Sequence, residues 1–355
     1  MEPINFYQDR LSGINAEIKK HKSRLRLLGS LRLIVFISMG VGVWFFFGNT
    51  IGVVATLVTG VLVFAFLISK YASVQRDFQF ADELRKINET EIQRIHGELG
   101  DASTGNQFIY EEHDFNQDID LFGHGSLFQW MDRTALKNGQ KTLADWFNSN
   151  DINDIEEKQE AIQELKDWAE WRQNYTATAA MIKSELQSEN VVAWMQNHKA
   201  FVPKIHSWAP LVYSILSVLI FAAYAIGLIS GWFPAGWWFL GLVISGPYVK
   251  RVTDVYNITS KIDDLLRQYS KLIKKIEHAD FKSARLQRWQ KEIITEVQPA
   301  SATLRELSRE VDNLGQRNNL IFGFISNGFL LWDLRCTYRI EKWISGFDGA
   351  LEEWF

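Results

Sequence analysis

Residues 51–69 read IGVVATLVTGVLVFAFLIS, nineteen consecutive residues without a charge. A helix needs about 20 apolar residues to cross the hydrocarbon core of a bilayer, so this run is long enough for a membrane span. Another charge-free run, 33–47, comes just before it, and Gly-Asn-Thr at 48–50 separates the two. Because Gly and Asn favour tight turns, the two runs are predicted to form a transmembrane hairpin over 30–69.

The same plan recurs over 209–249. An uncharged run of 22 residues at 209–230 is followed by Gly-Trp-Phe-Pro at 231–234, where we predict the turn, and by an apolar return over 235–249. The alternative is a buried helical hairpin in the core of a soluble protein. Four long charge-free runs in two matched pairs favour the membrane. Tryptophans near the ends of the second pair fit the aromatic belts of membrane proteins: Trp208, Trp232, Trp237 and Trp238.

The flanking charges predict the orientation. Lysine and arginine lie outside both pairs of apolar runs, and neither predicted turn contains one. The positive-inside rule then places both termini and the polar segments in the cytoplasm. We therefore expect a multi-pass protein of the cytoplasmic (inner) membrane, with four spans and the lipid bilayer as a partner.

The polar segments have apolar residues at spacings of three and four, which is typical of amphipathic helices. The clearest pattern follows the fourth apolar run and predicts a long lever helix over 250–292, with a partner helix in 176–207. A seam repeated over four heptads is also typical of a coiled coil. The seam residues are Val255, Ile258, Ile262, Leu265, Tyr269, Leu272, Ile276 and Ala279.

The composition excludes several classes of protein. Lys+Arg 38 against Asp+Glu 42 gives a net charge of −4, unlike a basic nucleic-acid binder. The one cysteine, Cys336, excludes an internal disulfide framework. The sequence contains no P-loop, no G-x-S-x-G and no HExxH motif. We therefore predict no catalytic residue, cofactor site or metal site in this chain.

One oxygen-rich segment, 114–120, resembles the start of a calcium loop. Ile119 stands where such a loop needs Gly, and Gly125 stands where it needs a bidentate Glu. The segment is therefore interpreted as a solvated turn ahead of a helix.

Residues 119–147 predict a turn, a short helix, a second turn and a second helix. Gly123 and Gly125 favour the first turn, and Ser126 is a suitable helix cap. The second turn is expected at 134–139. From the residues alone this is a packing unit with no reactive group. The predicted apolar faces are Leu127, Phe128 and Met131 on the first helix and Leu143, Trp146 and Phe147 on the second.

This stretch resembles the start of the core (lever) domain of the MutS family of mismatch-repair ATPases. The resemblance covers residues 115–175 and, more loosely, 290–355. It implies an all-α core with long lever helices, in a family whose full-length members are ATPases. The matching residues are Gly125, Ser126, Leu127, Phe128, Met131, Asp132, Thr134, Gly139, Leu143, Trp146 and Phe147, then Ile155, Lys158, Gln159, Ala161, Ile162, Glu164 and Leu165.

The departures from the family pattern define what the resemblance implies here. The family's mismatch-reading Phe-x-Glu is not evident, and the apolar pair at 209–249 occupies the place of the family's DNA clamp. The chain stops at Phe355, roughly where the family's ATPase domain begins. The resemblance thus implies a membrane-anchored relative without its ATPase domain. ATP and Mg are expected only if such a domain follows, and the implied partners are a second copy or an ATPase domain in cis or in trans.

These observations predict an all-α protein with two transmembrane hairpins, a cytoplasmic MutS-core-like helical domain and long lever or coiled-coil helices. The predicted parts are a cytoplasmic amphipathic helix at 1–29, a first transmembrane hairpin at 30–69, a helical connector at 70–110, the first part of the core-like domain at 111–208, a second transmembrane hairpin at 209–249, the lever helix at 250–292 and the second part of the core-like domain at 293–355.

Three hypotheses of function remain. In the first, the lever couples an ATPase domain, absent from this chain, to the membrane. In the second, the chain is a structural membrane scaffold or coiled-coil adaptor without nucleotide coupling, for which the heptad seam is the main support. The third is an ordinary DNA-binding repair protein. Residues 101–208 carry a net charge of −9, which disfavours direct DNA binding.

Overall fold

The computed structural model describes residues 2–109, 119–149, 152–182, 197–294 and 299–346, without the side chains of 261–264. Within these ranges the regular structure is helical, which confirms the all-α class. The α-helices described are α1 (Pro3–Phe45), α2 (Thr50–Ile95), α3 (Leu127–Met131), α4 (Lys137–Asn148), α5 (Ile155–Lys166), α6 (Ala169–Ala180), α7 (Ala209–Ala225), α8 (Trp232–Ser245), α9 (Val249–Glu277), α10 (Ala284–Ile293), α11 (Ala300–Gly315), α12 (Leu320–Leu330) and α13 (Trp332–Gly346).

The contacts divide the chain into two units. Unit 1 comprises 1–155 and 165–181, and unit 2 comprises 156–164 and 182–355. The segment predicted as a calcium-like turn, 114–120, lies almost wholly outside the described residues.

Unit 1 is built on the antiparallel pair α1 and α2, which contain 43 and 46 residues. Both helices are long and apolar enough to cross a membrane, and 0% and 6% of their apolar windows are buried. At about 1.5 Å per residue each exceeds 60 Å, about twice the hydrocarbon thickness of a bilayer. Each helix runs without a break through the predicted boundary at 29/30 or 69/70.

The predicted turn between the two apolar runs is confirmed. Gly48 has φ +95°, a conformation that favours glycine, and Asn49 begins α2 by accepting a hydrogen bond from the Gly52 amide at 3.1 Å. Glycines also let the helices approach closely, because a Cβ at Gly42 would lie 2.6 Å from Thr56 and one at Gly60 2.2 Å from Met39.

The polar halves of α1 and α2 pack on α6. Their buried contacts centre on Asn88 and Gln173, whose side-chain amides exchange hydrogen bonds of 3.0 and 3.3 Å. Arg10 of α1 donates to Gln173 at 2.8 Å and also pairs with Glu170. A buried amide pair needs all its partners, so this network fixes α6 in one register. The apolar residues around it are Ile14, Ile18, Ala81, Leu84 and Ala177.

Unit 2 has its core between α9, α11 and α13. The buried members of this core are Val252, Val255, Leu265, Leu266, Ile273, Ala300, Leu304, Leu307, Val311, Leu314, Cys336, Ile340, Trp343 and Ile344.

One prediction about the second apolar pair is wrong. The turn is not at 231–234: α7 ends at Ala225, Gly227 has φ +77°, and α8 begins at Trp232. Pro234 therefore lies in the first turn of α8, where a missing N–H has no cost. The predicted partner helix of α9, in 176–207, lies largely outside the described residues, and among the described residues the main partner of α9 is α11.

The lever helix predicted over 250–292 is two helices, because α9 ends at Glu277 and α10 begins at Ala284. Side chains satisfy the backbone groups freed by the break. Gln290 donates to the carbonyls of Ile276 and Ala279, each at 2.7 Å. Glu164 accepts from the backbone amides of residues 282 and 283, each at 2.7 Å. The spacing of apolar residues carries no information about such polar caps, so it did not predict the break.

Candidate functional site

Three apolar helices, α7, α8 and α12, pack together in unit 2, and we call them the apolar three-helix cluster. Sequence reasoning assigned α7 and α8 to the second hairpin but placed 320–330 in the core-like domain. The cluster exposes many large apolar side chains. The exposed ones are Leu211, Val212, Ile215, Leu216, Val218, Leu219, Phe221, Tyr224, Trp232, Phe233, Phe239, Leu240, Val243, Leu320, Ile321, Phe324 and Ile325.

The backbones of α8 and α12 touch where Gly241 meets Gly328. A Cβ on Gly241 would lie 2.3 Å from the Gly328 carbonyl oxygen, and one on Gly328 would lie 1.9 Å from Trp238 Cδ1. No side chain fits at this crossing, so both positions need glycine. Such contacts between small residues are how helices associate when the surrounding medium is itself apolar.

Several polar side chains of the cluster form hydrogen bonds within it. Tyr213 donates its hydroxyl to the Trp237 carbonyl at 2.6 Å. Trp237 Nε1 donates to Ser217 Oγ at 2.8 Å, and Trp238 Nε1 donates to the Phe324 carbonyl at 3.0 Å. A protein surface that faces hydrocarbon must satisfy its polar groups internally in this way.

A buried ion pair lies at the base of α12. Arg317 Nη2 is 3.1 Å from Asp333 Oδ2, and both side chains are largely buried. Burial raises the pKa of Asp333, while the charge of Arg317 acts in the opposite direction. The amide of Asp333 also donates to Asn327 Oδ1 at 2.9 Å. These contacts fix the chain where α12 ends and α13 begins.

Helix α9 leaves the cluster and enters the core of unit 2. It contains 29 residues, which corresponds to about 44 Å. A short 3₁₀ turn, Gly246–Tyr248, joins it to α8. Because α9 packs on both α11 and α13, it connects the apolar end of unit 2 with the polar end through one continuous helix.

The predicted seam describes only part of the buried face of α9. Val255, Leu265 and Leu272 are buried, whereas Ile258 is exposed. The side chain of Ile262 lies outside the described residues, and Tyr269 and Ile276 are half-buried. A helix that packs on two others buries a wider stripe than a coiled-coil seam. Sequence reasoning therefore missed Val252, Thr259, Leu266, Ser270 and Ile273, which are buried on the same helix.

Glu341 of α13 fixes the segment that precedes α7. Its buried carboxylate accepts hydrogen bonds from the backbone amides of Phe201 at 3.0 Å and Val202 at 3.1 Å. His198 Nε2 lies 3.2 Å from the same carboxylate. Sequence reasoning assigned no role to Glu341, since nothing in its local spacing marks a contact about 140 residues away.

In unit 1 the family-like stretch forms the predicted order of turns and helices, but the second turn is shorter than the predicted 134–139, because α4 begins at Lys137. Ser126 Oγ accepts from the Gln129 amide at 3.2 Å and so caps α3, and Gly125 has φ +75°. Phe128 is fully buried and, with Leu121, Phe122 and Ala144, forms a small core against which Leu143 and Phe147 pack. Leu127 and Met131 are exposed, contrary to the prediction, because α3 is only five residues long and buries one side, and Trp146 of α4 is exposed as well.

Asp132 and Thr134 have a structural explanation. Asp132 Oδ1 accepts from the amide of Thr134 at 2.8 Å and from its hydroxyl at 2.7 Å, and Oδ2 accepts from Gln140 Nε2 at 2.8 Å. The carboxylate thus closes the turn between α3 and α4. Gly139 meets only ordinary contacts with Thr134, so the structure does not explain a need for glycine there.

Replacing Asp132 with Ala is expected to loosen this turn. Loss of three hydrogen bonds to a buried carboxylate costs about 1–3 kcal/mol, so amide exchange over 126–148 should become about 5- to 150-fold faster. Hydrogen-exchange mass spectrometry of the full chain checks this. Asp145→Ala on exposed α4 is the matched control, and similar exchange rates in the two variants would contradict the assigned role.

A cavity of about 660 Å³ lies beside this turn, lined in part by Tyr7 of α1. Two of its cations pair with one acid: Arg94 Nη1 and Arg133 Nε lie 3.1 and 2.9 Å from Glu91 Oε1. Arg94 also donates to the Asp132 carbonyl at 2.6 Å. This network stabilises the cavity wall, and its charged groups pair with one another.

The described residues contain no group of three or more His, Cys, Asp or Glu side chains placed to hold a metal ion. Cys336 is buried in the core of unit 2, and burial raises the pKa of its thiol to about 12. A buried thiol without thiolate character is a packing residue and a poor nucleophile.

We expect Cys336 to be silent towards thiol reagents in the native protein. An Ellman titration at pH 8 should show no reaction on a timescale of minutes, and one equivalent after denaturation, because the chain has one cysteine. Rapid reaction of the native protein would show that the core around α13 opens readily.

No protein-family model, no curated protein and no solved structure matches this chain.

Proposed function

We propose that this chain is a membrane-anchored helical coupling module, in which α9 transmits movement between a cytoplasmic ATPase domain and the bilayer. The observation that carries the proposal is the continuity of α9. One 29-residue helix begins next to the apolar three-helix cluster and then lies in the core between α11 and α13. Since a packed helix moves as a rigid body, displacement at either end is felt at the other.

Membrane anchorage is supported in each unit separately. In unit 1, α1 and α2 have unburied apolar halves joined by a tight turn. In unit 2, residues 209–249 contain no charge, and Lys204 and Lys250 flank them. We infer four passes, with both termini on the cytoplasmic side of the inner membrane. Helices α7 and α8, of 17 and 14 residues, need the connecting residues 226–231 to complete their passes.

The role of an ATPase follows from the MutS resemblance. The sequence has no P-loop of its own, so ATP and Mg would be bound by an ATPase domain in cis or in trans, or within a homodimeric assembly. The lever helices would then act on the membrane instead of on a DNA clamp. The acidic stretch 101–208 disfavours direct DNA binding.

The first test is the intact mass of the protein purified from its own source membranes. A mass well above 41.1 kDa would place a further domain in cis, and a mass of 41.1 kDa would require a partner in trans. The first result would place the nucleotide site in the same chain, and the second would place it in a partner.

The second test measures the lever directly in those membranes. Spin labels at exposed Arg251→Cys and Lys274→Cys lie on one helix, so their separation should stay near about 35 Å with or without ATP. Labels at Lys274→Cys and Lys342→Cys report movement of α9 against α13. A nucleotide-dependent change of about 2 Å or more in this second pair is expected. Identical distances with ATP, with ADP and without nucleotide would favour a static scaffold.

A further inference from the structure

Helix α12 differs from its neighbours in one respect. No charge occurs between Arg317 and Asp333, a stretch of fifteen residues, whereas α11 before it and α13 after it are amphipathic. The charge-free stretch contains all of α12, and the two charges that bound it form the ion pair at its base.

One face of α12 packs on α7 and α8, and the other is uncovered. Leu320 and Ile321 are 76% and 74% exposed, and Phe324 and Ile325 are 57% and 53% exposed. This uncovered face is an extension of the exposed apolar faces of α7 and α8. Exposure of so large a contiguous apolar surface to water would be unfavourable.

We propose that α12 is a membrane-embedded element, which lies in the bilayer beside α7 and α8 without crossing it. The inference rests on the proposed membrane anchorage of α7 and α8. The 11 residues of α12 extend about 16 Å, about half of the hydrocarbon core. The Arg317–Asp333 pair bounds this charge-free stretch, and each of the two charges offsets the other.

The hydrogen bonds at the ends of α12 support this placement. The last four carbonyls of a helix have no partner within it, and non-helical backbone at membrane depth must be covered by protein. Ser217 donates to the Phe329 carbonyl at 2.7 Å, and the Tyr213 hydroxyl, whose one proton is shared with the closer Trp237 carbonyl, lies 3.2 Å from the Gly328 carbonyl. Both hydroxyls come from α7, so the hairpin supplies what water would supply to an exposed helix end.

The N-terminal end of α12 is satisfied by its own cap. Asn319 Oδ1 accepts from the amides of Ile321 at 3.1 Å and Phe322 at 3.3 Å. Together with the bonds from α7, this leaves an outer face of Leu, Ile and Phe side chains. Lipid hydrocarbon can cover such a face, because hydrocarbon forms no hydrogen bonds and carries no charge.

The test uses single-cysteine substitutions in the full chain, in open membrane fragments from its own source, with a membrane-impermeant maleimide. Phe324→Cys and Ile321→Cys probe α12, Val218→Cys probes α7, and Lys342→Cys, at an exposed position of α13, is the aqueous control. Cys336 stays in place because it is buried and its raised pKa keeps it unreactive. Because maleimide reacts with a thiolate in water, we expect the α12 and α7 thiols to react at least about tenfold more slowly than Lys342→Cys.

The outcomes separate this inference from the proposed function. If both α12 variants react as fast as Lys342→Cys while Val218→Cys is protected, α12 lies outside the bilayer and the anchorage of α7 stands. If Val218→Cys also reacts rapidly, the anchorage of unit 2 fails as well. A Phe324→Cys disulfide between two chains under mild oxidation would show that a second copy covers the face, which also overturns the inference.

Discussion

Replacing Gly241 with Ala is expected to separate α8 from α12. A Cβ at this position would lie 2.3 Å from the Gly328 carbonyl oxygen and 2.8 Å from the Asn327 carbonyl oxygen. These are backbone atoms, so no side-chain rotation relieves the overlap and the helices must move apart. Overpacking of this kind costs about 3 kcal/mol or more. The Trp238–Phe324 hydrogen bond across the same interface would be lost with it.

The measurement is thermal unfolding of the full chain in detergent micelles, followed by hydrogen exchange over 232–245 and 320–330. For a unit of this size the expected loss is about 6–12 °C in Tm, with faster exchange in both helices. Gly236→Ala is the matched control: it lies in the same helix with no atom within 4 Å of the added Cβ. It should be neutral or stabilise by up to about 1 kcal/mol. Equal Tm values for the two variants would contradict the crossing.

The contrast between these two glycines shows what the sequence predicts and what it does not. Both lie in an apolar helix, and nothing in their immediate neighbours distinguishes them. The crossing depends on a partner 80 or more residues further along the chain, as the hydrogen bond from Trp238 to Phe324 also does. Local composition predicted the helices; it could not identify which of them meet.

The same limit explains the assignment of 320–330 to the core-like domain. Its charge-free composition resembles that of the two apolar hairpins, but at 11 residues it is too short to be recognised as a span. Turn chemistry was more informative. Asn49 and Ser126 cap α2 and α3 as the residue types predict, because each acts on amides two or three residues away.

In unit 1 the sequence predicted the order of the elements in the family-like stretch but not their burial. Phe128 is buried and Trp146 exposed, although both were expected to be apolar contacts. The hydrogen bonds of Asp132 were not predicted, since a carboxylate near a turn is normally solvated. The structure gives that residue a role in closing the turn, independently of any family relationship.

Truncation of Leu266 to Ala is expected to destabilise unit 2 far more than truncation of Ile258. The apolar seam includes Ile258 and omits Leu266, yet Leu266 is 0% exposed and Ile258 is 37% exposed. Leu266→Ala removes three carbons from a fully buried side chain and leaves a cavity between α9 and α11. The expected loss in the free energy of unfolding is about 2–5 kcal/mol. Ile258→Ala removes a comparable volume from a partly solvated site, and its cost should be below about 1 kcal/mol.

The two variants therefore test whether the buried face of α9 is the heptad seam or the wider surface that packs on α11 and α13. Denaturant titration of each full-length variant, with amide exchange over α9 as the local probe, separates the alternatives. A dominant loss in Leu266→Ala supports packing of α9 within a bundle. A dominant loss in Ile258→Ala would mean that α9 pairs through its seam with a further helix, as a coiled-coil adaptor would. Since coupling through α9 requires that it be fixed in the core of unit 2, that second result would also weaken the proposed lever.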